Sequence, residues 1–186
     1  GFGDSKHGSI KLGEETPTLE FKNLNFEYPD DPGTKILSNL NLEVKPGEKI
    51  AFFGGDGSGR TSVVKILAGL YRVNEGEYLI DGHDIQYLDR GQLKKKLSVI
   101  FQDFVNYHFS LEENIVIAGQ RKNVDRKLFE KVSKIAQVTK FKKQMNFKNS
   151  NILGKTFPSG KELSPGYWQR LSIARMLYRN RNIFIM

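Results

Sequence analysis

The most informative segment of this chain is Gly54-Gly55-Asp56-Gly57-Ser58-Gly59-Arg60-Thr61. It has the GxxxxGK[ST] spacing of a phosphate-binding loop, with arginine at the lysine position. A short apolar run over residues 49–53 precedes the loop, and apolar residues at helical spacing over 63–70 follow it. This order predicts a strand buried on both faces, then the loop, then a helix.

Three properties of the loop suit a phosphate group. Backbone N–H groups and the helix dipole converge on one anion, glycines allow close approach of the backbone, and the Thr61 hydroxyl can ligate Mg²⁺. A ligand-free Gly/Ser-rich turn is the alternative. A dinucleotide-binding GxGxxG loop is disfavoured because its spacing fails at Arg60. Arginine is longer and more rigid than lysine, so we expect binding to survive and catalysis to weaken.

Length and composition exclude several classes of protein. The 186 residues predict one domain, and 38% hydrophobic residues are enough for a core. Cysteine is absent, which excludes disulfides and thiolate metal sites, and the three histidines make zinc chemistry improbable. The apolar runs are too short for a membrane-spanning helix.

Charge is unevenly distributed. Residues 1–93 hold 10 Lys/Arg against 15 Asp/Glu, residues 94–186 hold 19 against 6, and residues 121–148 hold 10 against 2. This basic stretch raises nucleic-acid or anionic-membrane binding as an alternative. We favour amphipathic helices with solvated lysines, and we expect no nucleic-acid partner, because apolar residues follow the start signal Asn123 at helical spacing. They are Leu128, Val132, Ile135 and Ala136.

The other elements also follow from patterns. Alternation over residues 19–21, 24–28 and 40–44 predicts an antiparallel meander with a register change in its first strand. Further strands are predicted at 78–80, 97–101 and 183–186. A helical middle is predicted from Glu112 to about Phe147, and a long helix from Leu163 to Asn180.

Three more segments, in the same order, resemble the nucleotide-binding domain of an exporter-type ATP-binding cassette (ABC) transporter. Phe26-Glu27-Tyr28-Pro29 resembles its adenine-stacking segment, residues 99–103 its Q-loop, and residues 163–170 its LSGGQxQR signature. The resemblance covers about Leu19 to Met186. For Tyr28, a core or rim position at a strand end is the alternative.

The resemblance implies a site for ATP and Mg²⁺. Thr61 and Gln102 would be the metal ligands, and Gln102 would also position the attacking water. The implied nucleotide-binding residues are Tyr28, Gly54, Gly55, Asp56, Gly57, Ser58, Gly59, Arg60, Thr61, Ser62 and Gln102.

The signature segment departs from the family pattern at Pro165 and Tyr167. Ser164 as N-cap and Pro165 as first helical residue would simply be a good helix start. The resemblance implies that Ser164, Pro165, Gly166 and Tyr167 face the γ-phosphate bound by the opposite subunit. Because proline has no N–H and tyrosine is bulky, we expect this contact to be weakened.

The resemblance also implies a metal-binding aspartate, a catalytic glutamate and a switch histidine after the strand at 183–186. The 186 residues contain no counterpart to these groups. We therefore assign no catalytic residue other than Gln102 as a candidate for positioning water, and expect these residues to hydrolyse ATP poorly.

These observations predict an α/β fold: a P-loop NTPase core sheet with an antiparallel β subdomain and an α-helical subdomain, like an incomplete ABC ATPase. We expect residues 1–17 to be a linker or cloning remnant and residues 18–186 to be the domain. Within it we assign the antiparallel part to 18–50, the P-loop core to 51–103, the helical subdomain to 104–170, and a helix with the next strand to 171–186.

The resemblance further implies two partners: a second nucleotide-binding domain, as homodimer or heterodimer, and a transmembrane domain. It implies a position on the cytoplasmic face of the cell membrane, through a membrane domain outside this chain. The predicted function is ATP-driven export with weak hydrolysis. The alternative is a non-hydrolysing nucleotide-binding regulatory or partner domain of an asymmetric dimer.

Overall fold

The computed structural model describes residues 10–101, 103–119, 123–155 and 160–186. The chain divides into two compact units between Leu97 and Ser98, with Ile185 grouped with the first unit.

The first unit is built on a four-stranded antiparallel sheet in the order β2-β1-β3-β4. Its strands are β1 (Leu19–Phe26), β2 (Leu37–Val44), β3 (Glu75–Ile80) and β4 (His83–Asp84). The predicted register change in β1 is confirmed: pairing with β2 shifts between Phe21 and Leu24, around Asn23 at φ 48°. A bulge of this kind lets both halves of β1 direct apolar side chains to the core.

The first unit also contains helix α1 (Arg60–Leu67), a 3₁₀ turn (Ile85–Tyr87) and helix α2 (Arg90–Lys96). Tyr78 of β3 is buried and donates its hydroxyl to the Leu67 carbonyl over 3.0 Å. Burial raises the pKa of this phenol. The bond satisfies a carbonyl at the end of α1, so the sheet fixes the helix that follows the glycine loop.

Residues from the amino-terminal segment also join the first unit. Ile10 forms a parallel bridge with Leu88, and Leu12 is buried. Lys96 Nζ donates to the Glu15 carbonyl over 2.8 Å. These contacts connect the segment to Leu88, which follows the 3₁₀ turn, and to Lys96 at the end of α2.

The predicted buried strand at residues 49–53 is wrong. No strand forms there; Phe53 is 91% exposed and Ile50 is 43% exposed. A strand buried on both faces needs hydrogen-bonded neighbours on its sides, and none of the described strands pairs with this stretch. Apolar composition alone therefore does not place it in a sheet.

The second unit is mainly helical. It contains α3 (Leu111–Val116), α4 (Arg126–Ile135), α5 (Val138–Gln144) and α6 (Pro165–Tyr178). Strands β5 (Leu97–Val99) and β6 (Ile183–Ile185) form a separate two-stranded sheet. The core of the helical part joins Trp168, Leu171 and Ala174 of α6 to apolar residues of the other three helices.

Two details of α4 correct the sequence prediction. The N-cap is Asp125, whose carboxylate accepts from Leu128 N over 3.0 Å, and not Asn123. Asp125 is the better placed acceptor because it directly precedes the first helical residue. Val132 and Ala136 are buried, but Ile135 is 58% exposed, because it lies outside the helix face that Phe129, Val132 and Ala136 share.

Within the described residues, no helix combines the length and the apolar character needed to cross a membrane.

Candidate nucleotide-binding site

The glycine loop leads directly into α1, and its backbone conformation depends on glycine. Gly57 and Gly59 have φ values of 78° and 79°, in the left-handed region. Gly59 is the N-cap of α1, and no side chain caps this helix start. The first-turn N–H groups of a helix have no partner within the helix, so an uncapped start leaves them for an anion.

Close packing also requires glycine at two loop positions. A Cβ on Gly59 would lie 2.6 Å from Leu37 Cδ2 and 3.2 Å from the Ile36 carbonyl oxygen. A Cβ on Gly54 would lie 2.5 Å from Ser58 Oγ. The loop is closed further by a bond from Ser58 N to the Gly55 carbonyl over 3.3 Å.

The polar side chains of the loop lie on its exposed side. Asp56, Ser58, Arg60 and Thr61 are exposed. Arg60 Nη2 lies 3.4 Å from the Gly55 carbonyl, so the guanidinium extends back across the loop. Thr61 therefore presents a hydroxyl, and Arg60 a fixed positive charge, beside the uncapped helix start.

Tyr28 joins an aromatic cluster and contacts α1. Its ring packs edge-to-face on Phe26 at 5.0 Å and on Tyr71 at 5.2 Å between centroids. Lys65 Nζ lies 5.3 Å from the Tyr28 ring centroid, and the Tyr28 hydroxyl is 2.9 Å from Ser62 Oγ. The structure thus brings Tyr28 and Ser62 together. Sequence reasoning missed Lys65 and Tyr71, since no motif marks them.

The signature segment begins α6 in the second unit. Ser164 is the predicted N-cap and Pro165 the first helical residue, but the Ser164 hydroxyl makes no capping bond. Its carbonyl accepts from Tyr167 N over 2.9 Å and Trp168 N over 3.1 Å. Ser164, Pro165 and Gly166 are exposed, and a Cβ on Gly166 would meet nothing within 4 Å.

The bulk of Tyr167 lies against α5. Its ring packs on Phe141 with centroids 4.6 Å apart, and its hydroxyl lies 3.5 Å from Gln144 Oε1. The contact leaves Ser164 and Gly166 as the exposed small residues of the helix start. Gln102, the predicted water-positioning and metal-binding residue, lies outside the described residues.

Sequence reasoning did not find a polar pair in the second unit, which consists of the buried Asn114 and the half-buried Arg175. Asn114 is fully buried, and its amide nitrogen lies 2.9 to 3.2 Å from the carbonyls of Tyr107, Phe109 and Ser110. Arg175 donates to the Asn114 carbonyl over 2.9 Å and to its side-chain oxygen over 3.1 Å.

Arg175 also binds the segment after Gln102. It donates to the Val105 carbonyl over 3.0 Å and lies over the Tyr107 ring at 4.5 Å. Burial lowers the pKa of this guanidinium, and the Tyr107 hydroxyl acts in the opposite direction. A cavity of about 330 Å³ adjoins Arg175, Phe101 and Val105. The pair therefore fastens residues 105–110 to α3 and α6.

Comparison with protein families matches residues 37–186 to the ABC transporter family. Among curated proteins, the chain is similar to the subtilin transport ATP-binding protein SpaT of Bacillus subtilis. The identity is 32% over 173 residues, which is 93% of this chain and 28% of SpaT. It is also similar to the leukotoxin translocation ATP-binding protein LktB of Mannheimia glucosida, at 35% identity over 96% of this chain and 24% of LktB.

A solved structure of a bacterial Atm1-family ABC exporter with ATP bound is also similar. It has a TM-score of 0.80 and 29% identity, over 94% of this chain and 30% of that chain. The chain belongs to the ABC transporter family, and its features are those of an exporter-type nucleotide-binding domain with an α/β fold. It spans about a quarter of the length of the curated relatives it matches.

Proposed function

We propose that this chain binds ATP with Mg²⁺ and is the ATP-binding module of an ABC exporter. The observation that carries the proposal is the uncapped start of α1 behind Gly59, a glycine whose φ and close packing leave no room for a side chain. Such a helix start favours a bound anion. Membership of the ABC (ATP-binding cassette) transporter family indicates that this anion is ATP.

The proposed contacts come from the glycine loop, Tyr28, Thr61 and Gln102. Loop residues 54–59 would bind the phosphates through backbone N–H groups, Arg60 would neutralise their charge, and Tyr28 would stack on the base. The exposed Thr61 hydroxyl is a hard oxygen ligand of the kind Mg²⁺ takes, with Gln102 as the second ligand. Bound Mg²⁺ would supply charge neutralisation on the phosphate oxygens.

We propose weak hydrolysis for this site. Arg60 replaces the compact ammonium of lysine, and Pro165 removes an N–H from the helix start proposed to face the partner's nucleotide. Removing one well-placed donor from such a site costs roughly 100-fold or more in rate. The same substitutions support the second candidate, a nucleotide-binding partner of an asymmetric dimer that does not hydrolyse ATP.

The proposed partners are a second nucleotide-binding domain and a transmembrane domain, with this chain on the cytoplasmic face of the membrane. The names of SpaT and LktB, which describe transport and translocation, support this placement. Val105 and Phe109 are 56% and 44% exposed and follow Gln102 in the chain, which supports a protein contact there. The transported substrate would be selected by the transmembrane part.

Thermal unfolding tests nucleotide binding first. ATP with Mg²⁺ at 100 times its dissociation constant should add about 2.7 kcal/mol of stability, and Arg60→Ala should reduce this gain. ADP, GTP and a chelator of Mg²⁺ are the comparisons. A folded chain that no nucleotide stabilises would contradict the proposal.

Phosphate release separates the two candidates. The test uses a chain extended by a segment that carries the family's metal-binding aspartate and catalytic glutamate, with Arg60 and with Arg60→Lys, which restores the family's residue at the loop. An increase in release with unchanged ATP binding supports a weakened enzyme. Binding without release in both forms supports the non-hydrolysing partner domain.

A further inference from the structure

One hydrogen bond joins Tyr28, the proposed contact for the base, to the first turn of α1 beside the phosphate loop. The Tyr28 hydroxyl and Ser62 Oγ are 2.9 Å apart, although the residues are 34 positions apart in the chain. Ser62 is 4% exposed and lies in the first turn of α1, directly after Thr61. The bond is part-buried: Tyr28 is half-buried, and the buried position of Ser62 shields its end of the bond from water.

The rest of the Tyr28 environment holds the ring but not the hydroxyl. Phe26 and Tyr71 pack on the ring, and Lys65 Nζ lies 5.3 Å from its centroid. Replacing Tyr28 by phenylalanine would keep these three contacts and remove only the bond to Ser62. The contribution of this bond can therefore be measured separately from stacking.

We infer that Ser62 is a positioning residue: it holds the Tyr28 ring at a fixed distance from the phosphate loop, so that the site favours nucleoside triphosphates over polyphosphates without a base. This inference rests on the proposed function. A Tyr28 ring that is fixed before binding loses no conformational entropy when a base stacks on it. The affinity gained in this way appears only for ligands that contact both the phosphate loop and Tyr28.

The expected effect follows from the size of one part-buried hydrogen bond. Tyr28→Phe should weaken ATP binding about fivefold, which corresponds to about 1 kcal/mol. Binding of inorganic tripolyphosphate should stay unchanged, because it has no base to contact Tyr28. Ser62→Ala should also weaken ATP binding, and Ser62→Thr, which keeps a hydroxyl, should restore much of it.

The experiment is calorimetric titration of the full chain with MgATP and with magnesium tripolyphosphate. The variants are Tyr28→Phe, Ser62→Ala, their double variant and Ser62→Thr. The matched control is Tyr71→Phe, which deletes a hydroxyl from the same aromatic cluster without removing the bond to Ser62. In the double variant the ATP losses should not add, because both changes break one bond.

Additive losses, or equal losses for ATP and tripolyphosphate in Tyr28→Phe, would overturn the inference. If Ser62→Ala does not fold, Tyr28→Phe against Tyr71→Phe still decides it, since a similar ATP loss in both refutes a special bond. A folded wild-type chain that binds tripolyphosphate but discriminates nothing by base also refutes the inference and leaves the phosphate loop standing. Binding of neither ligand refutes the proposed function itself.

Discussion

The glycine loop of the first unit and the Asn114–Arg175 pair of the second treat backbone polar groups in opposite ways. At the loop, Gly59 offers no side chain and the first turn of α1 stays uncapped. At the pair, a fully buried amide and a guanidinium bind the carbonyls of residues 105, 107, 109, 110 and 114. Glycine leaves donors for a ligand, whereas long polar side chains occupy acceptors to hold the chain itself.

The largest effect on this comparison should come from Asn114→Ala. It leaves buried carbonyls without donors and removes a partner of Arg175, so we expect a loss of about 3 kcal/mol in the free energy of unfolding. Urea denaturation followed by tryptophan fluorescence measures it, because Trp168 is the single tryptophan and is buried in the second unit.

The control for Asn114 is Asn149→Ala. Asn149 is only half-buried, and its side-chain oxygen accepts a single bond from Lys142 Nζ over 2.7 Å. We expect a loss below about 1 kcal/mol there. Equal losses at the two positions would show that burial of Asn114 adds nothing.

Arg175→Lys should have the next largest effect. Lysine keeps the charge but cannot bind the Asn114 carbonyl, its side-chain oxygen and the Val105 carbonyl with one planar group. We expect a loss of about 2 kcal/mol by the same fluorescence measurement. Arg126→Lys is the matched control, since Arg126 is exposed and forms a surface ion pair with Glu112, and should change little.

The sequence predicts elements whose cause is local. The register change of β1, the glycine loop before α1, and the Ser164-Pro165 start of α6 each depend on residues within a few positions. The Asn114–Arg175 pair joins residues 61 positions apart, and the Tyr28–Ser62 bond joins residues 34 apart. No periodicity encodes such pairs, so they were missed, even though Tyr28 and Ser62 were each assigned to the site.

The run at residues 49–53 shows the converse error. Its composition is that of a buried strand, but a strand exists only where a neighbour accepts its hydrogen bonds. Phe53, at 91% exposure, shows that apolar residues are not buried by their own pattern. Prediction fails here because the cause lies in the partner strand and not in the segment.

Gly59→Ala should alter the open helix start of the first unit. The new Cβ would be held at φ 79° and would meet Leu37 Cδ2 at 2.6 Å, so we expect a loss of about 2 kcal/mol and weaker ATP binding. Gly57→Ala is the comparison, because its φ is also positive but its Cβ would meet nothing within 4 Å, and about 1 kcal/mol is expected. Thermal unfolding followed by circular dichroism measures both. Equal losses would assign the whole effect to backbone strain.

The smallest effect concerns α3, whose start is closed where that of α1 is open. Glu113 N donates to Ser110 Oγ over 3.2 Å, and Ser110 N donates to Glu113 Oε2 over 2.9 Å. The Ser110 hydroxyl, and then the Ser110 backbone N–H, act on the Glu113 carboxylate and hold the pKa of Glu113 below its ordinary value of 4.5. A lowered pKa in the folded state means that the carboxylate stabilises the fold above the unfolded pKa and loses this contribution as pH falls through the folded pKa.

Glu113→Gln should therefore lower the Tm slightly at neutral pH, and its difference from the wild type should shrink as pH falls through that range. Because Glu113 is exposed, salt should weaken the effect. A Tm difference that stays constant from neutral pH to about pH 3 would show that the amide fails for reasons of geometry and not of charge. In that case the start of α3 would be closed by the geometry of its hydrogen bonds. A Tm difference that shrinks as pH falls would instead assign the closure to the charge of Glu113.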